Sequence, residues 1–243
     1  TFYETPLGAL DDCVDRAGLA QAGWAAIPQP ERGALVANFV DALEARTEDI
    51  AMSITKEMGK PLAEARGEVA KAVGESRVCI GRASAPIGDV FPSQIPGTVA
   101  YSTRRPRGVI LGINPWNFPF STPMRKAIPS LVYGNAIILK PASLTPGAIV
   151  LMAEIAAEVL PADLVQSAIG GGALGQALAE HIGIDAISFT GSVEVGKRVA
   201  IAAAGHLAEV SLELGGKNPA ILHDATDLEP VLDEIMASAF AVC

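Results

Sequence analysis

The chain has 243 residues, of which 50% are hydrophobic and 19% are charged. Such an apolar chain has ample surface to bury against the entropy of ordering, which excludes an intrinsically disordered protein. Its formal net charge of −9 argues against nucleic acid or an anionic membrane surface as the main partner. The three cysteines have no metal-ligand or disulfide spacing, so we expect no metal and a reducing, cytoplasmic compartment. The chain has no stretch of about 18 apolar residues, so the sequence predicts no membrane-spanning helix.

Residues 1–85 have the apolar periodicity of α-helices. Leu10–Ala26 carries apolar side chains near the 3.6-residue spacing of a helix that buries one face. Gly59, followed by Pro61, is placed to end a later helix. The further helices predicted in this region begin at Pro30, span Glu48–Met58, and run from Pro61 to about Ile80.

After residue 108 the pattern changes to short apolar runs that alternate with helical segments. This alternation is typical of βαβ units with buried parallel strands, and it predicts an α/β fold with a Rossmann-like open parallel sheet and helices on both faces. The predicted strands are Val109–Ile113, Ala136–Leu139, Leu164–Ile169, Ala186–Phe189, Val210–Leu212 and Pro219–Leu222. The predicted helices are Met124–Val132, Gly147–Val159, Leu174–His181, Val193–Ala204 and about Leu228 to Ala239.

The loops after the first two of these strands contain polar side chains. Ligands of open parallel sheets bind at the carboxyl ends of the strands, so each such loop is a candidate site. Two prolines fix the backbone around Asn117, whose amide could donate to a developing oxyanion, although a rigid turn explains the same residues. Lys140 could meet a ribose or phosphate and Ser143 could donate a hydrogen bond, although a solvated lysine before a turn is the alternative.

Two glycine-containing loops could approach a pyrophosphate. Gly170–Gly175 matches G-x-G-x-x-G, but the acidic partner expected about 20 residues later is missing, so tight helix–strand packing explains this turn equally well. Gly191 would let the backbone approach a ligand, and Ser192 can cap the following helix, whose N-terminus favours anions. An ordinary serine-capped helix is the alternative for this second loop.

The strand Val210–Leu212 leads to an acidic residue. Glu213 stands at the strand end and is followed by Gly215 and Gly216. A carboxylate in this place is a candidate general base if it is partly desolvated. An exposed glutamate beside a turn is the alternative.

Taken together, these loops resemble the aldehyde dehydrogenase superfamily, with a pattern closest to succinate-semialdehyde dehydrogenase-like members. The motifs that carry the resemblance, in the family's order, are Glu57–Pro61, Pro115–Pro119, Lys140–Pro141, Phe189–Ser192 with Gly196, and Leu212–Gly216. The resemblance implies an NAD(P)-binding domain over residues 1–213, mainly helical over 1–85 and built of βα units over 108–213. It also implies that residues 214–243 begin a second α/β domain, the catalytic domain.

The resemblance implies a role for each matching position. Asn117 is expected to be the oxyanion donor and Glu213 the general base. Ser143 stands where many NAD-preferring members carry glutamate, so it should admit the 2′-phosphate of NADP. Arg125 stands where some semialdehyde dehydrogenases hold the substrate carboxylate, although a helix-surface arginine is the alternative. The residues expected to contact NADP or NAD are Ile113, Pro115, Trp116, Lys140, Pro141, Ala142, Ser143, Gly191, Ser192, Gly196 and Leu214.

The implied reaction oxidises an aldehyde to the carboxylic acid through a cysteine thiohemiacetal and thioester. The family's nucleophile lies in a Gly-Gln-x-Cys stretch slightly further from the base than Cys243 lies from Glu213. We therefore expect the nucleophile beyond residue 243, and we expect this section to be inactive alone. The full-length protein is expected to be a dimer or tetramer. The alternative is a cofactor-binding pseudo-enzyme that lacks the nucleophile.

Overall fold

The computed structural model describes residues 2–224 and 227–240 of the chain, and its first part is helical. The helical prediction is confirmed, with ends that agree to within one residue. Gly59 ends the third helix in the left-handed conformation, with φ of 79°. The four helices are α1 (Leu10–Ala26), α2 (Gln29–Ala45), α3 (Thr47–Met58) and α4 (Leu62–Gly81).

Two very short strands lie between α4 and the parallel sheet, and the sequence analysis did not predict them. β1 (Val90–Phe91) pairs with β2 (Ala100–Tyr101) in antiparallel orientation. Each strand has two residues, and none of them is buried. Such strands show neither the alternation nor the apolar run that predicts a strand.

The central sheet is open and parallel, as predicted. Its strand order is β5-β4-β3-β6-β7, and every neighbouring pair is parallel. The chain runs outward from β3 to β5, then crosses back to β6 on the other side of β3, so right-handed crossovers place helices on both faces. The strands are β3 (Val109–Ile113), β4 (Ala136–Lys140), β5 (Val165–Ser167), β6 (Ala186–Gly191) and β7 (Glu209–Leu214). The helices between them are α5 (Ser121–Val132), α6 (Gly147–Val159), α7 (Gly172–Glu180) and α8 (Val193–Ala204).

The helical region and the sheet share one hydrophobic core. Trp24 of α1 is 1% exposed, and its indole N–H donates to the carbonyl of Leu131 at 2.7 Å. Phe39 of α2 and Leu111 of β3 are also fully buried. The first four helices therefore support the sheet instead of forming a separate bundle.

The predicted strand Pro219–Leu222 is wrong. Residues 215–223 have no regular secondary structure, and Ile221 is 85% exposed. Pro219 cannot donate to a ladder, and no strand of the described residues pairs with this segment. The helix predicted after it is present as α9 (Glu229–Phe240), none of whose residues is buried. Cys243 lies outside the described residues, and within them no helix is long and apolar enough to cross a bilayer.

Candidate active site

A cleft of about 730 Å³ opens at the carboxyl edge of the parallel sheet. It lies at the point where the strand order reverses between β3 and β6, which is where open α/β sheets bind ligands. The predicted residues that line it are Ile113, Pro115, Trp116, Asn117, Lys140, Ala142, Ser143, Gly191, Ser192, Glu213 and Leu214. A larger cavity, of about 1050 Å³, lies near Arg32 and Tyr133 and contains none of the predicted site residues.

Strand register brings the lining residues together. Ile113 stands opposite Lys140 on one side and Phe189 on the other. The loop after β3 is tied to the end of β4, because the Asn114 N–H donates to the Lys140 carbonyl at 3.0 Å. The Asn114 side-chain amide donates to the carbonyl of Gly112 at 2.9 Å. Asn114 was not among the predicted site residues, and its one sequence signal is a polar side chain directly after a buried strand.

The turn from β6 into α8 has the shape of a pyrophosphate site. A Cβ atom on Gly191 would lie 2.6 Å from Cζ of Phe189, so a side chain at this position would clash with the Phe189 ring. Ser192 caps α8 by accepting a hydrogen bond from the Val195 N–H at 3.3 Å. The remaining free N–H groups and the positive end of this helix dipole favour an anion. A Cβ on Gly196 would lie 2.5 Å from Leu214 Cδ2, so this buried glycine allows α8 to pack closely against β7.

Lys140 forms the part of the cleft next to the glycine-rich turn. Lys140 is 7% exposed, and burial lowers its pKa. Its ammonium donates to the carbonyl of Pro141, which is buried and does not line the cleft. A Cβ on Gly175 would lie 3.2 Å from Lys140 Cε, and the Ser143 hydroxyl donates to the carbonyl of Gly170 at 3.3 Å. The G-x-G-x-x-G turn therefore packs around Lys140 as a wall of the same cleft.

Asn117 and Glu213 line the cleft from different strands. Asn117 follows β3, and Glu213 lies in β7 opposite Thr190 of β6. Both side chains are exposed. The described residues therefore do not provide the partial desolvation that we expected for Glu213 as a base.

Lys126 lies beneath Glu213, and the sequence analysis missed it. It projects from α5 and is 7% exposed. Its ammonium donates to Thr190 Oγ1 at 2.8 Å and to Ser188 Oγ at 3.1 Å. Burial lowers the pKa of Lys126 to about 8, against the opposing influence of the Glu213 carboxylate. A lysine among helical residues gives no sequence signal that it faces the sheet.

Arg125 lies in an adjoining cleft of about 480 Å³, which also contains Lys126 and Glu213. Its guanidinium makes a two-point ion pair with Glu75, with N–O distances of 2.7 and 2.9 Å. This hydrogen-bonded pairing raises the pKa of Arg125 and lowers that of Glu75. The structure therefore places Arg125 beside the main cleft, with two of its donors already used.

The described cysteines are remote from the cleft. Cys13 is buried and donates to Gln166 Oε1 at 2.9 Å, and burial raises its pKa. Cys79 is half-buried, and burial raises its pKa as well. Both thiols are therefore poorly nucleophilic. Within residues 2–224 and 227–240, no group of three or more His, Cys, Asp or Glu side chains could hold a metal ion.

Comparison with known proteins identifies the family of this chain. The profile of the Aldehyde dehydrogenase family matches residues 4–242. The chain is 40% identical over 235 residues to the alpha-ketoglutaric semialdehyde dehydrogenase of Bacillus subtilis (strain 168), covering 95% of this chain and 48% of that protein. It is 35% identical over 229 residues to the NADP(+) succinate-semialdehyde dehydrogenase of Escherichia coli (strain K12), covering 93% and 48%.

Solved structures show the same fold. An aldehyde dehydrogenase from Brucella melitensis biovar abortus 2308 superimposes with a TM-score of 0.94 at 35% identity, covering 98% of this chain and 50% of that chain. PnpE in complex with nicotinamide adenine dinucleotide gives a TM-score of 0.93 at 33% identity, covering 98% and 50%. This chain belongs to the aldehyde dehydrogenase family. It spans about half the length of the curated relatives that it matches.

Proposed function

We propose that this chain provides the dinucleotide site, the oxyanion donor and the base of an NAD(P)-dependent aldehyde dehydrogenase that forms carboxylic acids. The observation that supports this proposal is the convergence of Asn117, Gly191 and Glu213 on one cleft from three different strands. A binding-only pseudo-enzyme would need the glycine turn but would have no use for an amide donor and a carboxylate beside it.

The residues present fit a dinucleotide. The main chain of the Gly191 turn, which lines the cleft, and the capped start of α8 together suit a pyrophosphate. Lys140 and Ser143 would hold the adenosine ribose, and Leu214 would lie beside the nicotinamide. When bound, the nicotinamide supplies a hydride acceptor.

Asn117 and Glu213 would act at different stages. The Asn117 amide donates a hydrogen bond to the oxyanion that forms when a thiolate attacks the aldehyde carbon. With the nicotinamide as hydride acceptor, this thiohemiacetal would lose a hydride from its carbon and become a thioester. Glu213 would then take a proton from a water molecule whose oxygen bonds to the thioester carbon, and the carbon–sulfur bond would break to release the acid and the thiolate. The thiol would come from a residue outside those described.

The proposed substrates are aldehydes that carry a carboxylate. Two relatives at 40% and 35% identity are semialdehyde dehydrogenases by name. Arg125 and Lys126 place two cationic side chains in the cleft next to Glu213. Because Glu75 already occupies two Arg125 donors, a substrate carboxylate would have to use the remaining donors or displace Glu75.

Titration calorimetry of the 243-residue chain with NADP tests this proposal. We expect binding, with an affinity that falls about tenfold in Lys140→Met, a change of ~1.4 kcal/mol. Lys197→Met is the matched control, since Lys197 is an exposed lysine of α8 that does not line the cleft. A folded chain that binds neither NADP nor NAD, or an unchanged affinity in Lys140→Met, would contradict the dinucleotide site.

A further inference from the structure

A buried ion pair lies outside the cleft. Lys60 Nζ and Glu68 Oε2 are 2.7 Å apart, and their side chains are 0% and 2% exposed. Lys60 belongs to the Glu57–Pro61 motif, to which the proposed function assigns no role. Removing both charges from water costs free energy that their mutual attraction does not reliably return. The pair makes further contacts, which offset part of this cost.

Those contacts all reach the loop that carries Asn117. The Lys60 ammonium donates to the main-chain carbonyl of Asn117 at 2.9 Å and lies 4.3 Å from the ring centroid of Phe118. Glu68 Oε1 accepts hydrogen bonds from the N–H groups of Phe120 at 3.0 Å and Ser121 at 2.9 Å. One ion pair thus holds both ends of the segment 117–121.

The fully buried side chain of Phe120 also anchors the loop, but its N–H groups depend on Glu68. Phe120 is the N-cap of α5 and provides no side-chain cap, so Glu68 supplies the missing acceptor and a negative charge at the positive end of the helix dipole. Within the part of the chain that the structure describes, the Asn117 side chain makes no hydrogen bond and is exposed. The position of its amide therefore depends on the main chain of the loop.

We propose that Lys60 and Glu68 are positioning residues that hold the Asn117 loop where the Asn117 amide can donate to the oxyanion. This inference rests on the proposed function of Asn117. Oxyanion donors stabilise the transition state because they are already in place before charge develops. A displacement of about 1 Å can cost roughly 100-fold in rate, so anchoring this loop has a catalytic consequence.

The variants separate positioning from stability. K60M/E68M replaces both charges by apolar side chains of similar length, which is often neutral or stabilising for a buried pair, but it removes the contacts with the loop. K60Q/E68Q is the conservative variant that keeps donors and acceptors. R66M/E48Q is the control, because Glu48 of α3 and Arg66 of α4 form an exposed ion pair that does not reach the loop.

Amide hydrogen exchange on the 243-residue chain measures whether the loop is held. We expect the Phe120 and Ser121 amides to exchange at least about tenfold faster in K60M/E68M, while K60Q/E68Q and R66M/E48Q stay near the wild-type rates. Far-ultraviolet circular dichroism reports that each variant is folded. Unchanged exchange in folded K60M/E68M would overturn the proposal. Should K60M/E68M not fold, K60M/E68Q takes its place in the kinetic test, since it keeps the helix cap and removes only the donor to Asn117.

Kinetics of the complete gene product measure the consequence for catalysis. We expect K60M/E68M to lower kcat about tenfold or more and to leave the KM for the dinucleotide within about twofold of the wild-type value. In an Asn117→Ala background, K60M/E68M should lower kcat hardly any further, because the loop then carries no oxyanion donor. Equal losses in both backgrounds would mean a merely structural role and would overturn the proposal.

The single variant Asn117→Ala distinguishes the oxyanion-donor role of Asn117 from the positioning role of Lys60 and Glu68. Loss of roughly 100-fold in kcat supports the proposed function of Asn117. An unchanged kcat in Asn117→Ala overturns that function, and with it the catalytic role of the pair. A large loss in Asn117→Ala without any loss in the paired variant overturns only the positioning by Lys60 and Glu68.

Discussion

Two lysines place positive charge at the main cleft and at the adjoining cleft, beside the carboxylate of Glu213. The chain carries a formal net charge of −9. Lys140 is buried at the main cleft and Lys126 at the adjoining cleft that contains Arg125, and burial lowers the pKa of each lysine. The start of α8 adds the positive end of a helix dipole. A dinucleotide bound as proposed would therefore meet Lys140 and the positive end of α8 on an otherwise acidic protein.

Ser143 allows a test of dinucleotide preference. Its exposed hydroxyl lies at the cleft beside the carbonyl of Gly170. Ser143→Glu should weaken NADP binding at least about tenfold through repulsion of the 2′-phosphate, and it should leave NAD binding equal or stronger. Titration calorimetry with both dinucleotides measures this, with Ser143→Ala as the control. An unchanged NADP affinity in Ser143→Glu would place the ribose elsewhere.

Lys126 predicts how stability depends on pH. Its pKa is about 8 in the folded protein, below its ordinary value of 10.5. Below pH 8 the folded state therefore carries the full cost of the buried charge. From about pH 8 to 10.5 the unfolded state binds more protons, so stability should rise, by at most roughly 3 kcal/mol.

Lys126→Met should remove this rise, although it adds a pH-independent cost because the hydroxyls of Ser188 and Thr190 lose a donor. Urea unfolding of both proteins between pH 7 and about pH 10.5 measures the difference. Lys140 contributes in the same direction in both proteins, so the comparison isolates Lys126. Parallel stability curves would show that Lys126 is not desolvated as described.

The turn between β6 and α8 leaves no room for a side chain at Gly191. A Cβ on Gly191 would meet the Phe189 ring at 2.6 Å, whereas a Cβ on Gly171, at the same cleft, meets nothing within 4 Å. Gly191→Ala should therefore weaken NADP binding about tenfold, and Gly171→Ala should have little effect. Equilibrium dialysis against labelled NADP compares them. Equal affinities in the two variants would remove Gly191 from the binding site.

Elements with a long apolar pattern could be predicted from the sequence, and contacts between distant segments could not. β3 and β4 are buried along nearly their whole length, so their apolar runs indicated them correctly. Pro219–Leu222 looks similar but has no neighbouring strand in the described structure, and periodicity cannot detect a missing neighbour. Lys60 reaches Asn117 across 57 positions, a contact that no local pattern records.

The candidate site, too, could be predicted from the sequence only in part. The motifs predicted which loops meet at the cleft, because parallel strands end at one edge. They did not predict that Glu75 pairs with Arg125 or that Lys126 turns toward β6. Both depend on the packing of α4 and α5, which sequence spacing alone does not determine.

At the scale of the whole molecule, the cleft is open. Glu213 is exposed. Helix α9 has no buried residue, and even its apolar side chains Leu232 and Met236 are at least half exposed. The chain spans about half the length of its curated relatives. Covering of Glu213 by further protein would supply the desolvation that a general base needs. Assembly of the complete protein into a dimer or tetramer stays a prediction.

Rapid mixing of the complete gene product with NADP and a carboxylate-bearing semialdehyde tests whether Glu213 is the general base. The absorbance of the reduced dinucleotide separates thioester formation from its hydrolysis. Glu213→Gln should keep one burst per active site and lose steady-state turnover about 100-fold or more, because water then lacks its base. A Glu213→Gln variant that turns over at the wild-type rate would contradict the role of Glu213 as the general base.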